Sequence, residues 1–141
     1  MDLLAWLLIF IFTLISILHF YWAFGGRWGL ENAIPLRNGG QPLFKVDFFS
    51  CLVVALGLLG FAFYYYLQVN GLSLGLRPSF ISVVGWIIPS IFLIRAIGDF
   101  KYCGLFKRER SSLFARLDTR YFTPLCLSLS FLGYLWSIIT Q

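Results

Sequence analysis

Charged side chains are scarce in this sequence. Only 12% of the 141 residues are Asp, Glu, Lys or Arg, whereas 60% are hydrophobic and 20% are aromatic. An average soluble domain carries about 25% charged residues. The shortage of charge and the mean hydropathy of +0.84 therefore exclude an ordinary soluble domain and indicate a chain that faces lipid.

Cysteine and histidine are also few. The three cysteines, Cys51, Cys103 and Cys126, include no C-x-x-C pair, which argues against a membrane thiol-disulfide oxidoreductase. We expect them to be reduced thiols that pack as small apolar side chains. His19 is the single histidine, and no Cys, Asp or Glu stands at a recognised haem-ligand or metal-ligand spacing from it. No metal site, cofactor, substrate or oligomeric state follows from these residues.

The basic residues outnumber the acidic ones and give a formal net charge of +5. They lie at the edges of apolar runs and not on a soluble face, so nucleic acid is not the expected partner. Anionic lipid headgroups are the expected counter-charge. We therefore expect membrane lipids as partners and leave open a membrane-protein partner or a homo-oligomer.

Four long apolar runs predict an all-α fold, a bundle of four transmembrane helices at about residues 3–24, 42–69, 78–98 and 122–140. A helix of about 20 residues, rising ~1.5 Å per residue, crosses the hydrocarbon core of a membrane. The first run lacks the basic start and the cleavage site of a signal peptide, so we expect it to remain as a helix. No segment has the composition of a flexible linker, which predicts one membrane domain over residues 1–141.

Proline and capping residues predict where two of these helices begin. Pro42 suits the first position of the second helix, which would place Asp47 in its first turns. Thr123 followed by Pro124 suits the start of the fourth helix, with Asp118 as a competing N-cap.

Small and polar residues predict which helix faces pack together. Pro89 leaves the carbonyl of Gly85 without its usual helical partner and should kink the third helix. Spacings of three and four residues place small or polar side chains on single faces, which favours close helix packing. These faces contain Thr13, Ser16 and His19, then Ser82, Gly85, Pro89, Phe92, Ala96 and Asp99, and finally Cys126, Ser130, Gly133 and Ser137.

The distribution of basic residues predicts the orientation in the membrane. The second loop carries only Arg77, whereas the first loop carries Arg27 and Arg37, with Lys45 at the start of the second helix on the same side, and the third loop carries Lys101, Lys107, Arg108, Arg110, Arg116 and Arg120. Cytoplasmic loops are enriched in Lys and Arg. We therefore predict that residues 25–41 and 99–121 are cytoplasmic and that both termini lie outside.

This topology brings the ionisable side chains of all four helices to the cytoplasmic boundary. We predict that they form a cluster that binds a lipid headgroup, a small anion or a partner subunit, and that it contains His19, Arg27, Asp47, Arg95, Asp99, Arg116, Asp118 and Arg120. Arg95 and Asp99 are four residues apart on one helical face, which predicts an ion pair. In the structural alternative, Arg95 is a boundary residue locked by Asp99, while Asp47 and Asp118 neutralise neighbouring arginines at helix ends.

Two further functions remain as alternatives to a non-enzymatic binding protein. In an enzyme at the cytoplasmic leaflet, His19 would act as acid or base and Asp47 or Asp99 would orient it, although no nucleophile motif accompanies it. A small transporter is the other alternative, but the predicted helices hold no Asp or Glu deeper than a boundary turn. No catalytic residue is assigned.

Three runs carry a family resemblance, namely HFYWAFGGRWGL at residues 19–30, RAIGDFKYCGLFKR at 95–108 and FARLDTRYFTPLCL at 114–127. With them, essentially the whole chain resembles a family of small bacterial four-helix membrane proteins classed as a domain of unknown function. The resemblance implies a bacterial source and the same fold, and we therefore expect a location in the bacterial inner membrane. It implies no activity.

Overall fold

The computed structural model describes residues 2–35, 41–42, 46–98, 101–108, 110 and 112–140. Its helices are α1 (Asp2–Ala23), α2 (Leu30–Ala33), α3 (Phe48–Val69), α4 (Pro78–Ile97), α5 (Leu113–Leu117) and α6 (Thr123–Thr140), and a π-helical turn (Asp118–Phe122) joins α5 to α6. The described residues contain no β-strand. Four helices are long and apolar enough to cross a membrane, namely α1, α3, α4 and the run Leu113–Thr140. The predicted all-α fold with four membrane-spanning helices is confirmed.

The second spanning helix begins later than predicted, at Phe48 and not at Pro42. The Asp47 side chain accepts a hydrogen bond from the backbone N–H of Ser50 (2.9 Å), and the Ser50 hydroxyl accepts one from the backbone N–H of Asp47 (3.1 Å). This reciprocal capping box satisfies N–H groups that have no partner within the helix. Asp47 is therefore the N-cap of α3 and lies before its first turn.

The fourth spanning helix begins earlier than predicted. Its N-cap is Ser112, whose hydroxyl accepts a hydrogen bond from the backbone N–H of Ala115 (3.1 Å). Both residues that we predicted as caps, Thr123 and Asp118, lie inside the helical run that starts at Leu113. The helix predicted at about residues 122–140 matches α6, but the π-helical turn and α5 extend the helical run back to Leu113.

The π-helical turn explains how Pro124 fits inside a continuous helix. Proline has no N–H to donate to the carbonyl four residues earlier, and its ring crowds that carbonyl. In the turn before Pro124, the backbone N–H of Thr123 donates to the carbonyl of Asp118, five residues back. Such wider turns occur within α-helices and often mark functional sites.

The spanning helices pack as two pairs, α1 with α3 and α4 with α6. In each pair a serine hydroxyl donates to a carbonyl of the facing helix, Ser16 to Ala55 (2.7 Å) and Ser137 to Gly85 (2.8 Å). The carbonyl of Gly85 is the one that Pro89 leaves without a helical partner, and Ser137 satisfies it from α6. The small faces around Ser16 and Ser137 are buried interfaces, as predicted.

Aromatic side chains fill the space between the two pairs. Phe12 of α1 lies 5.8 and 5.9 Å, between ring centroids, from Phe61 and Tyr65 of α3, and 5.3 Å from Phe92 of α4. Phe12 and Tyr65 are fully buried. Gly133 of α6 makes room for this packing, since a Cβ there would lie 3.1 Å from the Tyr65 hydroxyl. The centre of the bundle is therefore an apolar core, and the ionisable groups lie towards its ends.

Candidate functional site

The loops that follow α1 and α4 lie at the same end of the bundle. Phe24, just after α1, contacts Phe48 at the start of α3, with 6.2 Å between ring centroids. At the end of α4, Arg95 bonds to Asp118 of the π-helical turn. The short helix α2 contacts α5. Most of the basic residues therefore share one end of the molecule.

Asp118 is the centre of this end. It is fully buried, at 0% exposure, and its carboxylate accepts four hydrogen bonds. Arg95 Nη2 donates to Oδ1 (2.9 Å), while Lys107 Nζ (2.8 Å), the backbone N–H of Gly104 (2.8 Å) and the Thr123 hydroxyl (3.2 Å) donate to Oδ2. A carboxylate loses several kcal/mol of hydration on burial, and these donors and cations offset that loss.

Arg95 is bound to Asp118, its partner on the next spanning helix. The other partner that we predicted, Asp99, lies outside the described residues. The Arg95 side chain is 36% exposed, but its Nη1 atom is buried and finds no hydrogen-bond partner in the part of the chain that the structure describes. The guanidinium therefore keeps unused donor capacity beside the buried carboxylate.

Lys107 is the member of this cluster that the sequence did not reveal. It is only 3% exposed, and lysine is almost never buried this far unless it is paired. In the sequence it is followed by Arg108 and, two residues later, Arg110, and nothing local distinguishes it from them. The only available signal was indirect, since an aspartate inside an apolar helix requires a buried cation.

Two glycines allow the loop after α4 to return to Asp118. Gly98 and Gly104 have φ angles of 87° and 88°, which glycine adopts without the strain that a Cβ causes. Their backbones pack so closely that a Cβ on either glycine would overlap backbone atoms across the contact. Next to them, the N–H of Leu105 donates to the carbonyl of Ala96 (2.9 Å) and so satisfies a carbonyl in the last turn of α4.

A cavity of about 340 Å³ opens beside this cluster. We call it the basic cavity, and the described residues that line it are Gly104, Leu105, Lys107, Arg110, Ala115, Arg116, Thr119 and Thr123. Three of these side chains are cations, two carry hydroxyls and none is acidic. Asp118 is not among them, although it bonds to Lys107 and Thr123, which are.

The basic cavity has hydrogen-bond donors to spare. An ammonium carries three N–H groups, and Asp118 accepts one of those of Lys107. Arg110 and Arg116 are exposed, and their guanidinium groups make no ion pair or hydrogen bond with any described residue. Ammonium and guanidinium groups are the usual ligands of phosphate and carboxylate oxygens. The arrangement is therefore suited to binding an oxyanion.

His19 is not among the described residues that line the basic cavity. Its Nδ1 donates to the carbonyl of Ile15 in the preceding turn (2.8 Å), and its ring packs on Trp22 at 4.9 Å between ring centroids. Within the described ranges it forms no ion pair with a carboxylate. Of the two aspartates predicted to orient it, Asp47 caps α3 and Asp99 lies outside the described residues.

Three other predicted residues also lie apart from the basic cavity. Arg27 is exposed, and Arg120 is exposed with its guanidinium 5.6 Å from the ring centre of Tyr121. Asp47 is exposed as well. Hydrogen bonds from the side chain and backbone of Ser50 hold the pKa of Asp47 below its ordinary value of 3.8. Of the predicted cluster, the structure thus brings together Arg95, Asp118 and Arg116.

The described residues contain no group of three His, Cys, Asp or Glu side chains that could hold a metal ion. The three cysteines are all free thiols. The donor set at this end of the bundle consists of nitrogen cations and hydroxyls, which bind anions.

Comparison with known families gives one match. A family model described as a protein of unknown function, DUF3995, matches residues 12–133. No curated protein matches the chain, and no solved structure matches it. The matched segment contains Asp118 and all the described residues that line the basic cavity. The chain therefore belongs to DUF3995, a family of proteins of unknown function, in agreement with the resemblance seen in its sequence.

Proposed function

We propose that this protein is a non-enzymatic protein of the bacterial inner membrane that binds an anionic group in the basic cavity. The observation that supports this function is the lining of the cavity, where Lys107, Arg110 and Arg116 occur without an acidic side chain among the described residues. Phosphate and carboxylate groups share the acceptor oxygens that such a set binds.

The buried cluster prepares this cavity for its ligand. Asp118 accepts a hydrogen bond from the ammonium of Lys107. It also accepts one from the backbone N–H of Gly104, which belongs to the same loop as Lys107. Two cations, Lys107 and Arg95, contact this carboxylate, so the described groups of the cluster carry a net positive charge. A cation that is already fixed in place loses less entropy when it binds a ligand.

The orientation belongs to the same proposal. The loops with most of the Lys and Arg residues would face the cytoplasm, and both termini would lie outside. The basic cavity would then open at the level of the cytoplasmic headgroups. This orientation is tested by placing a single cysteine at either terminus of the protein and labelling it with a fluorescent reagent in intact cells.

The two alternatives have no specific support from the site. His19 bonds to its own helix, so nothing marks it as a general base. Asp118 is an acidic residue inside the candidate span Leu113–Thr140, and a proton-coupled transporter needs an acidic residue within the membrane. However, two cations and two further donors occupy its carboxylate, so we assign Asp118 a structural role.

Binding of inorganic phosphate to the purified full-length protein in detergent tests the proposal. We expect the R116Q substitution to weaken binding by about 10- to 150-fold, because one charge-assisted hydrogen bond is worth about 1.5–3 kcal/mol. R120Q is the matched control, since it removes the same charge four residues away but outside the cavity lining. Isothermal titration calorimetry gives both affinities. Equal weakening by R116Q and R120Q would show a diffuse charge effect and refute the site.

A further inference from the structure

The position and charge of the basic cavity point to one class of ligand. We propose that it binds the headgroup of a membrane lipid whose phosphate is a monoester, as in phosphatidic acid. This inference rests on the proposed function, because it names the source and charge state of the anion that the cavity binds.

The first argument is charge. Among the described residues, the cavity lining and the cluster behind it hold four cations, Lys107, Arg95, Arg110 and Arg116, and one carboxylate, that of Asp118. A phosphomonoester carries about −1.5 to −2 charges near pH 7 and offers three acceptor oxygens. A phosphodiester carries less negative charge and offers fewer acceptor oxygens, so it leaves more of these cations without a partner.

The second argument is the type of donor that remains available. The Thr123 hydroxyl donates to Asp118 (3.2 Å), and the Thr119 hydroxyl donates to the carbonyl of Ala115 (3.1 Å). Both hydroxyl protons in the cavity are therefore in use. The ligand must be bound by N–H groups of ammonium and guanidinium, and this favours the most highly charged oxyanion.

The third argument is location. Leu105 lines the cavity and is exposed, and the next residue in the chain, Phe106, is exposed too. Exposed apolar side chains next to basic ones are typical of a segment that lies in the membrane interface. A lipid would place its headgroup in the cavity and its acyl chains along this apolar surface, whereas a soluble anion makes no use of it.

The fourth argument is size. A volume of about 340 Å³ is at the lower end of the range of small-molecule sites, about 300–1,000 Å³. The cavity therefore accommodates a headgroup but not a whole lipid. This agrees with a lipid that remains in the bilayer while the protein binds its phosphate.

Native mass spectrometry of the full-length protein released from nanodiscs tests the inference. The nanodiscs contain equal amounts of phosphatidic acid and phosphatidylglycerol with the same acyl chains, in a neutral lipid. We expect about tenfold higher retention of phosphatidic acid, and loss of this preference in R110Q/R116Q. The double variant R108Q/R120Q removes the same charge from exposed positions outside the lining and should keep the preference.

The outcomes separate the lipid inference from the proposed function. Equal retention of both lipids, with lower retention of both in R110Q/R116Q, would refute the monoester but leave anion binding in place. Binding of inorganic phosphate in detergent without retention of either lipid would identify a soluble anion and overturn the lipid inference. An R116K variant, which keeps the charge and loses the guanidinium fork, should retain phosphatidic acid at an intermediate level. Unchanged retention in both double variants would refute the site itself.

Discussion

The first and third loops share one end of the bundle, and each is associated with arginines and an aspartate, but they differ in what that aspartate does. In the described part of the first loop, Arg27 and Asp47 are exposed. In the third loop, Gly104 and Lys107 are buried against Asp118. The difference shows that basic residues at one end of the bundle do not by themselves form a buried cluster.

The position of each aspartate relative to its helix explains this difference. Asp47 precedes α3 and caps it, so water and the N–H groups of the first turn satisfy its carboxylate. Asp118 lies inside a helical run and is buried, so its carboxylate has to be satisfied by protein groups. Two cations and the backbone N–H of Gly104 are brought to it, and the last of these comes from the loop after α4.

Loss of the buried carboxylate should have the largest effect. D118N leaves Lys107 and Arg95 without a counter-charge, and breaking a buried ion pair in this way costs about 3–5 kcal/mol. D47N is the matched control, since asparagine caps helices about as well as aspartate and should leave the stability nearly unchanged. Unfolding of both variants by denaturant in detergent micelles measures the difference. Equal destabilisation would mean that the two aspartates do not differ as we argue.

Alanine at the loop glycines should have a smaller effect. Gly25 and Gly104 both have positive φ angles, 92° and 88°, so alanine strains either site by about 1–3 kcal/mol. A Cβ at Gly25 meets nothing within 4 Å, whereas a Cβ at Gly104 overlaps backbone of α4 and its end. G104A should therefore be the more destabilising and should displace the loop from Asp118.

Trypsin cleavage measures this displacement. We expect G104A to speed cleavage after Arg108 and Arg110, and G25A to leave that rate close to the wild-type value. If both variants are cleaved at the same rate, the close packing of Gly104 does not hold the loop in place.

The pH dependence of the α3 cap should be the smallest effect. The pKa of Asp47 is below 3.8 in the folded protein because Ser50 donates to its carboxylate. The unfolded state therefore binds the proton more readily, and the cap contributes stability above about pH 4 that is lost as the pH falls through the lowered pKa. We compare the unfolding midpoints of wild type and D47N from about pH 6 to about pH 3. The difference between the two midpoints should change only at the acidic end of this range. A constant difference over this range would contradict the assignment.

Parts of the site were accessible from the sequence. Arg95, Arg116 and Asp118 were correctly placed at one end of the bundle, since each lies near the end of an apolar run of spanning length. The partner of Arg95 could not be assigned by helical spacing, because Asp118 belongs to another helix. Lys107 and Gly104 bond to Asp118 from 11 and 14 residues away in the chain, and no local pattern marks either.

The starts of the helices also could not be predicted from local sequence signals alone. Pro42 and the pair Thr123 and Pro124 are valid start signals, but the capping box at Asp47 and the π-helical turn before Pro124 prevailed. Both outcomes depend on how the surrounding backbone is satisfied, which a proline alone does not specify.

The length and apolar character of the four runs, which are local properties of the chain, determined that this is a helical membrane protein. This conclusion does not depend on how the helices are arranged, because in lipid each spanning segment has to form its backbone hydrogen bonds within itself. The basic cavity depended on the folded arrangement, in which α4, the loop after it and the π-helical turn meet at Asp118. A buried carboxylate selects its partners by distance in space, and so the residues that surround it emerged only from the packing of the helices.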